Sequence, residues 1–219
     1  MHRSGFASIR PLAAGRVLRN LSRGVCAVLC ALLLTACSIP GSVNPTVKIG
    51  LSAPFEGLYR DVGYEALHSV RLAVRERNAA GGVGQRYLVE LVALNDLNEA
   101  DKAAEQARKM AVDPDVLGVL GGLSQETEEA ASEYGELGLA FLTPGVDISE
   151  SHSEVALDPD FAVQYRLISG GVAPGAVAVW AYAAANRLLD AMEVATRANG
   201  HPTRSDVRDA IGAPNLLVE

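Results

Sequence analysis

Between Thr46 and Pro144, short apolar runs alternate with longer stretches in which apolar residues recur every three or four positions. "VKIGLSA" (47–53), "YLVELVAL" (87–94), "DVLGVLGG" (115–122) and "LAFLTP" (139–144) read as strands, the second of them buried. The stretches between them read as helices. Leu67, Val70 and Val74 fall at i, i+3 and i+7, and "NAAGGVGQR" stops that helix because Gly81, Gly82 and Gly84 accept positive φ. Asn98 is the expected N-cap of the next helix, with Asp101 three residues on and Ala100, Ala103, Ala104, Ala107 and Met110 along one face. A third helix, "SQETEEAASEYGEL" (124–137), opens on Ser124.

Strands that alternate with helices imply right-handed βαβ crossovers. The expected fold class is therefore α/β, a Rossmann-like parallel sheet with helices on both faces. The alternation then stops. After the Ser- and acid-rich "TPGVDISESHSEVALDPDF" (143–161) come a helical "DPDFAVQYRLI", the loop "SGGVAPG", and a long apolar helix from Ala176 to about Asn199. "TRSD" (203–206) opens a last short helix through Val207, Ala210 and Ile211, and no fifth strand is legible.

Composition places these elements in one globular domain, or at most two small ones, since 49% of the 219 residues are hydrophobic and 21% charged. The N-terminus is of another kind. Five arginines, Arg3 to Arg23, precede "VCAVLCALLLTA", an apolar run of about 12 residues where a bilayer span needs about 20. Leu34-Thr35-Ala36-Cys37 at its end resembles the bacterial lipobox. The resemblance implies that residues 1–36 are a signal peptide, that Cys37 is acylated, and that 37–45 are a tether holding the protein outside the cytoplasm on the cell membrane.

That expectation changes two counts. Cys26 and Cys30 leave with the signal and Cys37 carries lipid, so neither a disulfide nor thiol chemistry is expected. Loss of five arginines and no acid moves the formal charge from −7 to −12, which argues against a nucleic-acid partner. Enzyme motifs are also missing. "GGVGQR" lacks the G-x-G-x-x-G spacing and follows a helix, and "GLSQE" lacks the second glycine of a nucleophile elbow. The histidines at 2, 68, 152 and 201 form no i, i+4 pair, so no metal, cofactor or catalytic role is expected. Trp180 and Tyr182 read as core residues rather than stacking platforms.

"VKIGLSAPFEG", "RLAVRERNAAGGVGQR", "LVALNDLNEADKAAEQARKMAVDPDVLGVLGG" and "GLAFLTPG" follow one another in an order and spacing that resemble the type I solute-binding proteins of branched-chain amino acid ABC transporters. The C-terminal "DFAVQYRLISGGVAPGAVAVWAYAAANRLLDAMEVATRANGHPTRSDVRDAI" resembles the segment that returns to the first lobe in that family. The resemblance implies a first-lobe β/α core over 46–145, a bypass over 146–158 in place of the second lobe, and returning helices over 159–213. It further implies a small amino-acid-like solute, an ABC permease as partner and no enzyme activity. With a single wall, the chain is expected to bind weakly, to pair with a second copy, or to persist as a scaffold or remnant without transport.

Candidate ligand residues follow from the same resemblance. Ser124, with Gln125 beside it, matches the residue that meets the solute's α-carboxylate, and it reads equally as an N-cap. Gly145, Val146 and Asp147 match the stretch that meets the α-ammonium; Asp147 is either such a partner or a solvated loop acid. The family's covering aromatic falls near Val62, with Tyr59 and Tyr64 close by as substitutes. The acid and further aromatic cover that the second lobe supplies have no counterpart.

Overall fold

The computed structural model describes residues 44–144 and 159–212. The Arg-rich start, Cys37, most of the tether, Gly145, Val146, Asp147 and the 146–158 bypass lie outside the described residues. In chain order the elements are β1 (Thr46–Ala53), α1 (Arg60–Ala79), β2 (Leu88–Asn95), α2 (Ala100–Val112), β3 (Val116–Leu120), α3 (Gln125–Glu128), α4 (Ala131–Glu136), β4 (Ala140–Leu142), α5 (Pro159–Ser169), α6 (Ala176–Asn199) and α7 (Arg204–Gly212).

The four strands form one parallel sheet in the order β2-β1-β3-β4. β1 pairs on both sides, so its apolar run is almost wholly buried, and β3 is buried throughout. β2 departs from the expectation. It is an edge strand with Leu88 and Glu90 exposed and only Val89 fully buried. An apolar run marks a strand, but which strand ends up at the edge depends on pairing order.

Helices cover both faces, as expected. α1, α6 and α7 pack Leu67, Val70, Leu188, Met192 and Val207 with Ile49 and Leu51 of β1. On the other face, Ala103, Ala107 and Met110 of α2 meet Val116 and Val119 of β3 and Tyr134 of α4, whose ring stacks on Phe141 with centroids 4.0 Å apart. Trp180 and Tyr182 are half-buried against the first of these clusters.

Two helix starts differ from expectation. Asn98 is in the left-handed region (φ 62°), and Glu99 occupies the N-cap of α2 without a side-chain bond. The predicted 124–137 helix is two short pieces, because the Ala130 N–H bonds the Thr127 carbonyl at 3.3 Å and tightens the turn between them. The turn after α1 is as expected: Gly82 has φ 79°, and a Cβ there would meet the Tyr87 carbonyl oxygen at 2.1 Å. The "TRSD" capping box also forms, with Asp206 N–H to Thr203 Oγ1 and Thr203 N–H to Asp206, both at 3.2 Å.

α6 fits over the sheet because β3 carries Gly118 beneath it. A Cβ at Gly118 would stand 2.6 Å from Leu188 Cδ1 and 3.3 Å from Ala140 Cβ. Gly118→Val should therefore overpack this contact and lower stability by about 1–3 kcal/mol, read as an earlier urea midpoint. An unchanged midpoint would contradict this packing.

Candidate functional site

The carboxyl ends of β1, β2, β3 and β4 lie along one edge of the parallel sheet, where open α/β sheets place their binding loops. The β3 end is built most tightly. The Gly121 N–H reaches the Leu142 carbonyl at 3.1 Å, joining the turn to β4. Gly122 then takes φ 64°, where a Cβ would press on Thr143 Cγ2 at 2.9 Å and on the Glu128 backbone at 3.2 Å. Only glycine lets the chain pass between these two neighbours into Ser124.

Ser124 is the N-cap of α3, with extended backbone (φ −139°, ψ 167°). Its Oγ accepts the Thr127 N–H at 3.4 Å, and Thr127 Oγ1 accepts the Ser124 N–H at 3.3 Å. The capping half of the Ser124 reading is thus present in the geometry. Gln125 follows at the helix start with its side chain in solvent. α3 is four residues long and carries Glu126 and Glu128 in its first turn, so acids already face its positive end. Thr143, just past β4, donates its hydroxyl to Glu128 at 3.4 Å and ties the two strand ends together. Pattern reading missed Thr143 and Glu128, because their meeting depends on the sheet pairing.

Tyr64 sits elsewhere. It lies on α1, 45% exposed, with its ring edge-on to Phe55 at 5.7 Å and tilted to His68 at 6.3 Å. Its neighbours belong to α1, α5 and their loops, so the structure does not gather it with Ser124 and Gln125. Tyr59, at the N-cap of α1, is 48% exposed. A cavity of about 700 Å³ beside β4 is lined by Phe141, Trp180, Arg187 and Ile211 and touches the rim through Leu142 and Thr143.

Under the rim lies a polar cluster that the sequence pattern also hid. Asp96, fully buried at the end of β2, accepts the Ser52 hydroxyl at 3.1 Å and the Asn98 N–H at 3.0 Å. Asn95 Oδ1 takes the N–H groups of Phe55 (2.9 Å) and Leu97 (3.0 Å). These bonds hold the loops after β1 and β2 and stabilise positive φ at Leu97 and Asn98. Burial raises the Asp96 carboxyl above its ordinary value, against the hydrogen bonds that favour its charge, and pushes the nearby Tyr134 hydroxyl up to about 12. The one available signal was an Asp-x-Asn directly after an apolar run.

Residues 46–154 match the periplasmic binding protein family. Within the described residues the matched segment covers the whole sheet and the Ser124 rim. The chain is 31% identical over 118 residues to the Leu/Ile/Val-binding protein homolog 7 of Brucella melitensis, an alignment that spans 53% of this chain and 29% of the relative. It thus spans less than a third of the length of the curated relatives it matches. Two crystal structures resemble it in fold. The branched-chain amino acid transporter substrate-binding protein of Streptococcus pneumoniae, solved with isoleucine, has a TM-score of 0.62 at 13% identity and covers 76% of this chain and 87% of its own. A substrate-binding periplasmic protein from Ralstonia solanacearum has a TM-score of 0.55 at 13% identity, covering 75% and 88%. The fold, a parallel α/β sheet with helices on both faces, matches that of type I periplasmic binding proteins.

The buried Asp96 makes the rim pH-dependent. Its folded-state pKa is raised, so the stability it carries is complete below the unfolded value of 3.8 and falls as pH rises through the folded value. Asp96→Asn does not titrate. The wild type's advantage over this variant should therefore shrink between pH 3.8 and neutrality, as read by urea unfolding across that range. A difference that is constant with pH would contradict a buried, raised Asp96.

Proposed function

We propose that this chain is the lipid-anchored, extracytoplasmic substrate-binding component of an ABC-type uptake system for branched-chain amino acids or related amides. The observation that carries this reading is the 31% identity to a Leu/Ile/Val-binding homolog, joined to a parallel sheet whose strand ends form an ordered rim. On this reading, the Ser124 hydroxyl and the N–H groups heading α3 take the solute's carboxylate, since unbonded amides at a helix start favour an anion. Glu128 and Thr143, joined across the rim, offer a carboxylate and a hydroxyl to the ammonium. Gly145, Val146 and Asp147, which follow Pro144 in sequence, meet the same ammonium in this proposal. The permease is the membrane partner, and Cys37 carries the anchor.

A single wall limits affinity, because closure of two lobes on a hinge is what buries a solute on all sides. A second copy of the chain facing the rim supplies the other wall in this proposal. A non-transporting scaffold or remnant is favoured by one specific observation: the Ser124 hydroxyl is already spent on Thr127, and Glu126 and Glu128 repel an incoming carboxylate.

Ligand-dependent melting separates the two readings. Leucine, isoleucine, valine or a small amide at ten times its Kd should add about 1.4 kcal/mol, a rise of roughly 3–6 °C for a domain of this size. Ser124→Ala lowers the baseline by about 1 kcal/mol through the lost cap, so the comparison is of the ligand-induced rise, which should vanish in the variant. No rise with any of these solutes at millimolar concentration supports the scaffold reading instead.

The anchor has its own check. Cys37→Ser should abolish incorporation of labelled fatty acid and move the protein from the detergent phase to the aqueous phase. Retained label would remove Cys37 as the attachment point.

A further inference from the structure

α1 turns one face away from the sheet, toward α5 and the loop that leads into α6. On that face Asp61, Tyr64, Glu65 and His68 stand at i, i+3, i+4 and i+7, the spacing at which helices usually present apolar residues to a core. Here the four positions carry two carboxylates, a phenol and an imidazole. They line a cavity of about 350 Å³ whose other wall is Tyr165 and Val172, and none of its lining comes from the strand-end rim.

The chemistry of this cavity is selective. Three aromatic rings follow one another across it: Tyr64 and His68 have centroids 6.3 Å apart, and His68 meets Tyr165 edge-on at 6.1 Å. His68 Nδ1 is buried with no hydrogen-bond partner among the described residues. Burial, helped by Arg71, holds the His68 pKa below 6.5, so near neutrality the ring is uncharged and does not repel a cation. Glu65 spends Oε1 on the N–H groups of Gly175 (2.7 Å) and Ala178 (3.0 Å), which leaves Oε2 as an acceptor. Asp61 is 91% exposed, and its ion pair is with the neighbouring Arg60 at 3.4 Å.

We infer that this cavity is a second binding site, for a small organic cation of the alkylammonium class. Tyr64, 45% exposed, supplies π-electron surface for the alkyl groups and charge, with Tyr165 behind it as apolar wall, and Asp61 and Glu65 supply the countercharge. Aromatic rings with carboxylates favour a soft, weakly hydrated cation, whereas a hard metal ion needs several oxygen ligands converging on one point. No three His, Cys, Asp or Glu side chains among the described residues, those of this cavity included, are arranged so that they could hold a metal ion. The formal net charge of −7 draws cations toward the surface in general and does not choose among them; the rings do.

The test is a titration of the full chain, in non-ionic detergent, with tetramethylammonium chloride against sodium chloride at equal ionic strength, followed by NMR of the His68 and tyrosine ring signals. Saturable shifts are expected with tetramethylammonium alone, at a millimolar Kd. Tyr64→Leu and Asp61→Asn should each weaken it about fivefold. Both side chains are exposed, and Asp61→Asn keeps size and shape, so it remains informative if the tyrosine variant melts early. Shifts that sodium chloride reproduces, shifts that never saturate, or affinities unchanged in both variants would overturn the site.

Discussion

The contact on which this structure depends is the seating of α6 against α1 and the sheet. α1 follows the first strand, whereas α6 belongs to the C-terminal part of the chain, yet together they seal the apolar face of β1 and β3. The helices are pinned at both ends of their shared length. Glu65 receives the N–H groups that start α6, where Gly175 offers no side-chain cap, and Glu193 receives the Gly84 N–H beyond the end of α1. Between them, Tyr182 bonds Glu76 at 2.5 Å and Arg77 pairs with Asp190. Without α6, Ile49, Leu51 and Leu120 would face water, and burial of such side chains contributes about 1.5–3 kcal/mol each.

A sheet held this firmly presents its strand ends as a fixed rim. The glycine turn at Gly121 and Gly122 lets Thr143 and Glu128 approach each other, and Asp96 with Asn95 orders the neighbouring loops from below. Ser124 is therefore placed by the glycine turn before it and by its own capping bonds with Thr127. The same firmness has an electrostatic cost: Asp96 is buried, and the hydrogen bonds from the Ser52 hydroxyl and the Asn98 N–H offset its desolvation only in part.

Charge is distributed unevenly between the rim and the α1–α5 cavity. The rim mixes a serine, a threonine and acids, which suits a zwitterion only where N–H groups outweigh carboxylates. The α1–α5 cavity mixes acids with rings and suits a cation.

The sequence by itself determined the strand and helix content, the parallel α/β class, the positive-φ turn at Gly81 to Gly84, the cap at Ser124 and the box at Thr203. Each is a local property of spacing, backbone freedom or a side chain reaching three residues along. Tertiary structure alone decided that β2 lies at the edge, that Asp96 rather than Asn98 orders the start of α2, and that Tyr64 faces His68 and Tyr165 instead of Ser124. Those outcomes depend on which surfaces meet across the sheet and between α1 and α5. A linear pattern records that a residue can be buried or bonded, but the partner comes from elements up to about 100 residues away, and only packing brings it near.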